Sequence, residues 1–224
     1  MASPQDGTAK QPRHAEPPKG SAAVRHRLVT WLPSVCCLVA AALIGLTVIL
    51  PVWALDLYAP QYPEGPITLY AYAYKLEEQY EDVRGEIFEL KILNNLLGGR
   101  FPEQPVELSI LPFVLGMVAL LSVSAACIPG RRALLLKAAL LLALLTMLAG
   151  SAGLQWRLYT FGHHRDPGAA LREIPAFTVP LVGASSFANW KTVSRFEIGA
   201  YMFGLATGLL GLAFWFERRS RRVP

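Results

Sequence analysis

The chain has 224 residues, 53% of them hydrophobic and 17% charged, with a formal net charge of +5. A soluble domain carries roughly a quarter of its residues as charges spread along the chain, whereas here they cluster and leave four long neutral gaps. Wholesale disorder, collagen and a disulfide-stapled secreted fold are excluded, and an integral membrane protein remains.

Residues 1–27 mix Pro, Gly, Lys, Gln, Ser and Ala without apolar periodicity. They bury too little surface to offset ordering entropy and are expected to form a disordered basic cytoplasmic tail. Its His14 and His26 show no ligand spacing. Leu28 to Leu55 then runs without a charge and is the first predicted crossing. A helix rises about 1.5 Å per residue against a hydrocarbon core of about 30 Å, so roughly 20 residues suffice to span it. A cleaved secretory signal is disfavoured, because the leader and the apolar run are both long and Pro33 and Pro51 bracket a full span.

Residues 56–107 form the first predicted outer loop. Three prolines and a glycine between Tyr58 and Pro66 fix an extended, turning backbone. Ile67 to Tyr74 alternates with a period of two and predicts a short strand. From Glu81 to Leu97, apolar residues at Val83, Ile87, Leu90 and Leu97 predict an amphipathic helix stopped by Gly98-Gly99.

Residues 108–130 and 133–156 are the second and third predicted crossings, with Lys137 snorkelling near one end of the third. Residues 157–196 form the second outer loop, predicted as a coil lying on the membrane or against the first loop. Residues 197–216 are the fourth crossing and 217–224 a basic cytoplasmic tail. The fold class expected is thus an all-α membrane protein with four transmembrane helices and two extracytoplasmic loops.

Lys and Arg set the orientation. Arg25 and Arg27, then Arg131 and Arg132, then Arg218, Arg219, Arg221 and Arg222 all belong on one side of a four-crossing protein. By the positive-inside tendency that side is the cytoplasm. The first outer loop is acidic and the second basic, which leaves two readings open: loops that dock on each other, or two independently solvated loops.

Cys36, Cys37 and Cys127 all fall near the cytoplasmic ends of helices, where buried small hydrophobes is the favoured reading and a soft cation the alternative. His163 and His164, with Asp166 two residues on, are the candidate metal ligands, to be completed by Glu64, Glu89, Asn94 or Asn95 across the loops. A turn with imidazoles bonded to backbone is the simpler reading. Gly204 and Gly208 form a small-xxx-small pair, expected to pack a neighbouring helix inside the bundle, with a partner's helix as the alternative. The crossings hold no interior acid that would mark an ion-coupled pump, and no GxSxG, HExxH, phosphate loop or CxxCH is present.

Tyr58-Ala59-Pro60-Gln61-Tyr62-Pro63-Glu64-Gly65 resembles a motif of a group of bacterial four-helix inner-membrane proteins. Leu93-Asn94-Asn95-Leu96-Leu97-Gly98, Gly162-His163, Asp166-Pro167, Pro180-Leu181-Val182-Gly183 and Ala188-Asn189-Trp190 are similar to further motifs of that group. Such proteins are often encoded near copper-dependent nitrous oxide respiration or other copper-handling functions, which implies an accessory or assembly role. Asn95 stands where many of that group carry a histidine, so one ligand is missing if the group uses it.

The expected function is therefore an inner-membrane accessory protein whose periplasmic loops engage a partner protein or copper during maturation of a respiratory copper enzyme. The contact candidates are Tyr62, Pro63, Glu64, Gly65, Asn94, Asn95, Asp166 and Asn189, and the metal candidates His163 and His164. Membrane lipid and a membrane or periplasmic protein are the expected partners, with no nucleic acid. A transporter or channel subunit and a membrane-bound enzyme are the alternatives. Claudin-like junction proteins share the outline, but their Trp-Gly-Leu-Trp and paired loop cysteines are absent.

Overall fold

The structure, a computed structural model, describes residues 19–60, 62–63, 65–80, 83–85, 91–92, 95, 106–164, 168–169 and 173–220. Four of its helices are long and apolar enough to cross a membrane: α1 (Lys19–Ile49), α2 (Val106–Cys127), α3 (Arg132–His163) and α4 (Ile198–Ser220). This makes the chain a multi-pass membrane protein. Each helix packs on its two neighbours in a ring, α1 on α2 and α4, and α3 on α2 and α4.

The bundle core is built from small side chains that let helices approach closely. Ala40, Ala125, Ala139, Ala143, Ala206 and Ala213 are buried beside Ile44, Leu115, Leu136, Phe203 and Leu210. Thr47, Ser122 and Thr207 are buried too, each donating its hydroxyl to the carbonyl four residues back, which satisfies Ser122 and Thr207 within their own helices; Thr47 also reaches the Gly199 carbonyl of α4 at 3.3 Å. Lipid replaces water on the outside, so the many exposed leucines and valines of α2 and α3 are in their proper solvent.

The expectation of an all-α protein is corrected. Both outer loops contribute to one six-stranded antiparallel sheet. From the first loop come β1 (Trp53–Tyr58), β2 (Ile67–Ala71), β3 (Leu76–Tyr80) and β4 (Val83–Gly85). From the second come β5 (Gly183–Phe187) and β6 (Trp190–Phe196), in the order β4-β3-β2-β1-β6-β5.

The first crossing therefore stops short of Leu55. Pro51 supplies no N–H to continue α1, and Trp53 starts a strand whose first five residues are buried. A strand buried on both faces reads as one greasy run, which is why it looked like the tail of the helix. The strand expected over 67–74 ends at Ala71. Within the helix expected over 81–97, Val83–Gly85 is a strand paired with β3; residues 91–92 and 95 are helical, and the rest of that helix lies outside the described residues. The second loop is coil through residues 174–182, which pack against the first loop's strands; from Gly183 on, β5 and β6 form a hairpin across a two-residue turn. Helix α1 begins at Lys19, inside the expected tail, and residues 1–18 lie outside the described set.

The sheet joins the bundle through the adjacent strands β1 and β6. α1 leads into β1, and β6 leads into α4, so the antiparallel α1–α4 pair continues as the antiparallel β1–β6 pair. Three backbone bonds close the junction: Val52 N–H to Ala71 O at 2.8 Å, Glu197 N–H to Val52 O at 3.1 Å and Gly199 N–H to Pro51 O at 2.9 Å. Gly199 is required there, since a Cβ on it would lie 2.7 Å from the Pro51 carbonyl oxygen. By contrast, nothing lies within 4 Å of a Cβ built on Gly204 or Gly208. The close approach on α4 is instead at Gly199, against the Leu50–Val52 link between α1 and β1.

The opposite end of the bundle is tied by Arg132, the first residue of α3. Its Nε donates to Ala125 O of α2 at 3.1 Å, one terminal nitrogen donates to Ser34 Oγ of α1 at 2.9 Å, and the other lies 3.6 Å from Glu217 of α4. The guanidinium thus touches all three other helices from a side chain 9% exposed. Cys36 and Cys37 are buried and Cys127 is exposed, so the three thiols do not share one environment.

Candidate functional site

Of the candidate contact residues, Tyr62, Pro63, Gly65 and Asn189 belong to the cap that the sheet forms over one end of the bundle. Helix α3 is its spine. At 1.5 Å per residue a helix of this length reaches about 48 Å, well beyond a hydrocarbon core of about 30 Å. Its final turns carry Leu154, Leu158 and Phe161 into the core of the cap. There they meet the inner face of the sheet, where alternate residues Trp53, Leu55 and Leu57 of β1 and Ile67, Leu69 and Ala71 of β2 are buried.

Between α3 and the sheet runs a strap, residues 174–182, held by side chains from three elements. Gln155 of α3 accepts from the Leu181 N–H at 2.7 Å and donates to Val179 O at 3.2 Å. Trp53 Nε1 donates to Leu181 O at 2.7 Å. Ser194 of β6 donates to the carbonyls of Pro180 and Gly183, the latter at 3.2 Å. Gly183 itself has φ +121°, a conformation side chains rarely adopt. The Pro180-Leu181-Val182-Gly183 motif is therefore a backbone docking element.

Aromatic rings fix the strap from its other side. Phe177 stacks on Phe187 at 3.8 Å and meets Phe161 edge-on at 6.0 Å. Gly162 lets this happen, because a Cβ there would stand 1.9 Å from the Phe177 carbonyl oxygen. The glycine of Gly162-His163 thus has a packing role.

On the opposite face of the sheet lies a charge network that the sequence reading did not single out. Asp56 of β1 is buried, accepts from Thr68 Oγ1 at 2.8 Å and pairs with Arg195 of β6. Arg195 also donates to Glu197 at 2.8 Å. Burial works against the charge of Arg195, and its bonds to Asp56 and Glu197 more than offset it, so the guanidinium pKa sits above its ordinary value. The signal in the sequence was an acid alone within the apolar run Val52 to Leu57. The two loops do meet through opposite charge here, and through backbone pairing along the whole of β1 with residues 191–196 of β6.

The turn between β2 and β3 lies at the bundle end of the sheet, since Ala71 bonds Val52. Ala73 is buried in the bundle core. Lys75 stands 5.3 Å from the centroids of both Tyr72 and Tyr74 and pairs with Glu77. That hydrogen bond holds the Lys75 ammonium above its usual pKa.

The structure places the sequence candidates as follows. Tyr62 is half-buried and packs against Trp190 with ring centroids 6.3 Å apart. Trp190 follows directly on Asn189, an exposed residue of the β5–β6 turn, so the first-loop motif and the Ala188-Asn189-Trp190 motif are brought together. Pro63 is exposed and Gly65 partly so; Asn95 is helical and exposed. Glu64, Asn94 and Asp166 lie outside the described residues.

His163 ends α3 exposed, stacked on Tyr159 at 3.9 Å, with Nδ1 bonded to Tyr159 O at 3.0 Å. A bond to a carbonyl requires Nδ1–H, so in the neutral ring Nε2 is the nitrogen with the lone pair. His164 is exposed beside it. Among the described residues no three His, Cys, Asp or Glu side chains come together as a metal site. In comparisons with known proteins, no family model and no curated protein matches the chain.

Proposed function

We propose that this chain is an accessory protein of the bacterial inner membrane, its helices an anchor and its β-cap a periplasmic docking surface for a respiratory enzyme under assembly. The observation that carries the reading is the distribution of polar chemistry. Ion pairs occur at the two ends of the bundle and in the cap, while the buried hydroxyls of Ser122 and Thr207 between those ends bond their own helices. That pattern supports a rigid scaffold over a conducting path, because intramembrane relays use charged or titratable side chains along their length. In the cap, Gln155, Trp53, Ser194 and Arg195 are committed to holding the two loops together. What the cap offers outward is shape, backbone edge and exposed polar groups.

Orientation rests on the positive-inside tendency, with Arg131, Arg218 and Arg219 at the end away from the cap. The partner class, a copper-dependent respiratory enzyme or its maturation factors, rests on the resemblance of the loop motifs. His163 Nε2 is the cap atom best placed to add one ligand to a copper site shared with such a partner.

Affinity purification of the full chain from native membranes, with metal analysis of the eluate, tests this. Co-elution of a copper enzyme or its maturation factors is expected. A homo-oligomer that eludes every partner and supports solute flux in vesicles would overturn it.

A further inference from the structure

The sheet ends on an edge that nothing in the described structure covers. β5 lies outermost beside β6, and its sequence, Gly183-Ala184-Ser185-Ser186-Phe187, has no charge and no proline. Proteins ordinarily protect such edges with lysine, proline, bulges or a covering loop. Ala184 and Ser186 are both exposed.

The hairpin geometry says which groups point outward. A two-residue turn makes Phe187 and Trp190 a hydrogen-bonded pair. By alternation Ser185 with Thr192 and Gly183 with Ser194 are bonded likewise, in the register observed. The hydroxyls of Thr192 and Ser194 reach the carbonyls of Ser185 and Gly183 at 3.2 Å, as this assignment requires. The N–H and C=O of Ala184 and Ser186 therefore face away from β6, and among the described residues they have no partner.

A second copy of this chain does not fit that edge. Gly183 stands opposite Ser194 near the start of α4 and Phe187 opposite the more distant Trp190, so β5 runs away from the helix ends. Two copies in one bilayer would share that direction. A two-fold axis along the membrane normal would set identical rows against each other, donor facing donor.

We infer that β5 is a β-augmentation site that takes an extended, acidic segment of a different polypeptide as a seventh strand. The acidic character follows from Lys191, which is exposed, stands directly across from Ser186 on the same face, and makes no ion pair among the described residues. A strand beside β5 lies about 10 Å from β6, and the small Ser186 side chain leaves room for a glutamate on that strand to meet Lys191. Main-chain bonds to Ala184 and Ser186 supply affinity, and the Lys191 pair supplies selectivity. This inference rests on the docking role proposed for the cap and names its mode.

The test uses the full chain in native membranes, with a photoreactive benzophenone side chain placed in turn at Ala184, Ser186, Tyr58 and Asn189. Crosslinks from Ala184 and Ser186 are expected to fall two residues apart in one Asp- or Glu-bearing segment of a partner. The Ser186→Pro variant removes an outward N–H while leaving the β5–β6 bonds in place, and it should lower the Ala184 crosslink more than tenfold. Lys191→Glu, a surface change that leaves the ladder intact, should lower it severalfold and guards against misfolding of the proline variant. Crosslinks to a second copy of this chain, or an Ala184 yield unmoved by both variants, overturn the inference. Partner crosslinks from Tyr58 or Asn189 alone sink the β5 site and leave the docking role standing; none from any position sinks both.

Discussion

Gly162→Ala separates a packed cap from loosely tethered loops. A Cβ at residue 162 would sit 1.9 Å from the Phe177 carbonyl oxygen and 2.9 Å from its carbon. Reaching ordinary contact near 3.4 Å means moving the strap by about 1.5 Å. Overpacking of this kind costs about 1–3 kcal/mol. The Phe161–Phe177 and Phe177–Phe187 contacts would also weaken, and such pairs contribute about 0.5–1.5 kcal/mol each. Alanine in place of glycine in a helix returns about 1 kcal/mol, so the expected net loss is about 2 kcal/mol. Gly153→Ala on the same helix is the control, because nothing lies within 4 Å of its Cβ and only the gain remains. Unfolding in detergent, followed by tryptophan fluorescence together with protease cleavage of the cap, should place the two variants about 3 kcal/mol apart. Equal stability of the two would refute the close approach of α3 and the strap.

Gly199→Ala should destabilise the junction of α1 and α4 by about 1–3 kcal/mol, read as a lowered unfolding midpoint, because two carbonyl oxygens lie within 3 Å of its Cβ. Glu217→Leu should cost about 3 kcal/mol by stranding Arg132 in a mostly buried site, and Arg132→Met in the same chain should recover much of it in a double-mutant cycle. Gln155→Leu leaves the Leu181 N–H and Val179 O without their partner and should cost about 2 kcal/mol, with faster hydrogen exchange confined to the strap. Ala188, at φ 48° in the β5–β6 turn, should gain about 1 kcal/mol on substitution by glycine, seen as a higher midpoint.

The helices were legible because a charge-free stretch of sufficient length has few other uses. The sheet was not, for reasons visible strand by strand. Trp53 to Leu57 is buried on both faces, so its apolar run merged with that of α1. In β6 the inward residues after Trp190 are Thr192 and Ser194, polar side chains satisfied by carbonyls of β5 and the strap, which interrupts the usual hydrophobic-in pattern. β5 carries no side-chain signal beyond Phe187.

The motifs were easier to find than to interpret. Gly162 and the Pro180–Gly183 stretch matter for partners such as Phe177, Trp53 and Ser194, which linear spacing does not reveal. Arg132 counted correctly as one more positive charge near a helix end, yet it faces inward, because Glu217 arrives there from the far end of the chain.

The two loops form one sheet on one side of the membrane, although its paired strands β1 and β6 lie more than a hundred residues apart in the chain. Cysteines at Tyr58 and Lys191, paired across β1 and β6, in a chain whose native cysteines are replaced by alanine, test it most directly. Antiparallel partners have Cα atoms about 5.5 Å apart, within disulfide range. Rapid, near-complete formation of an intramolecular disulfide on mild oxidation in membranes is the result expected. Two reactive thiols that never join, or that take up an impermeant reagent from opposite faces of the membrane, would contradict the account.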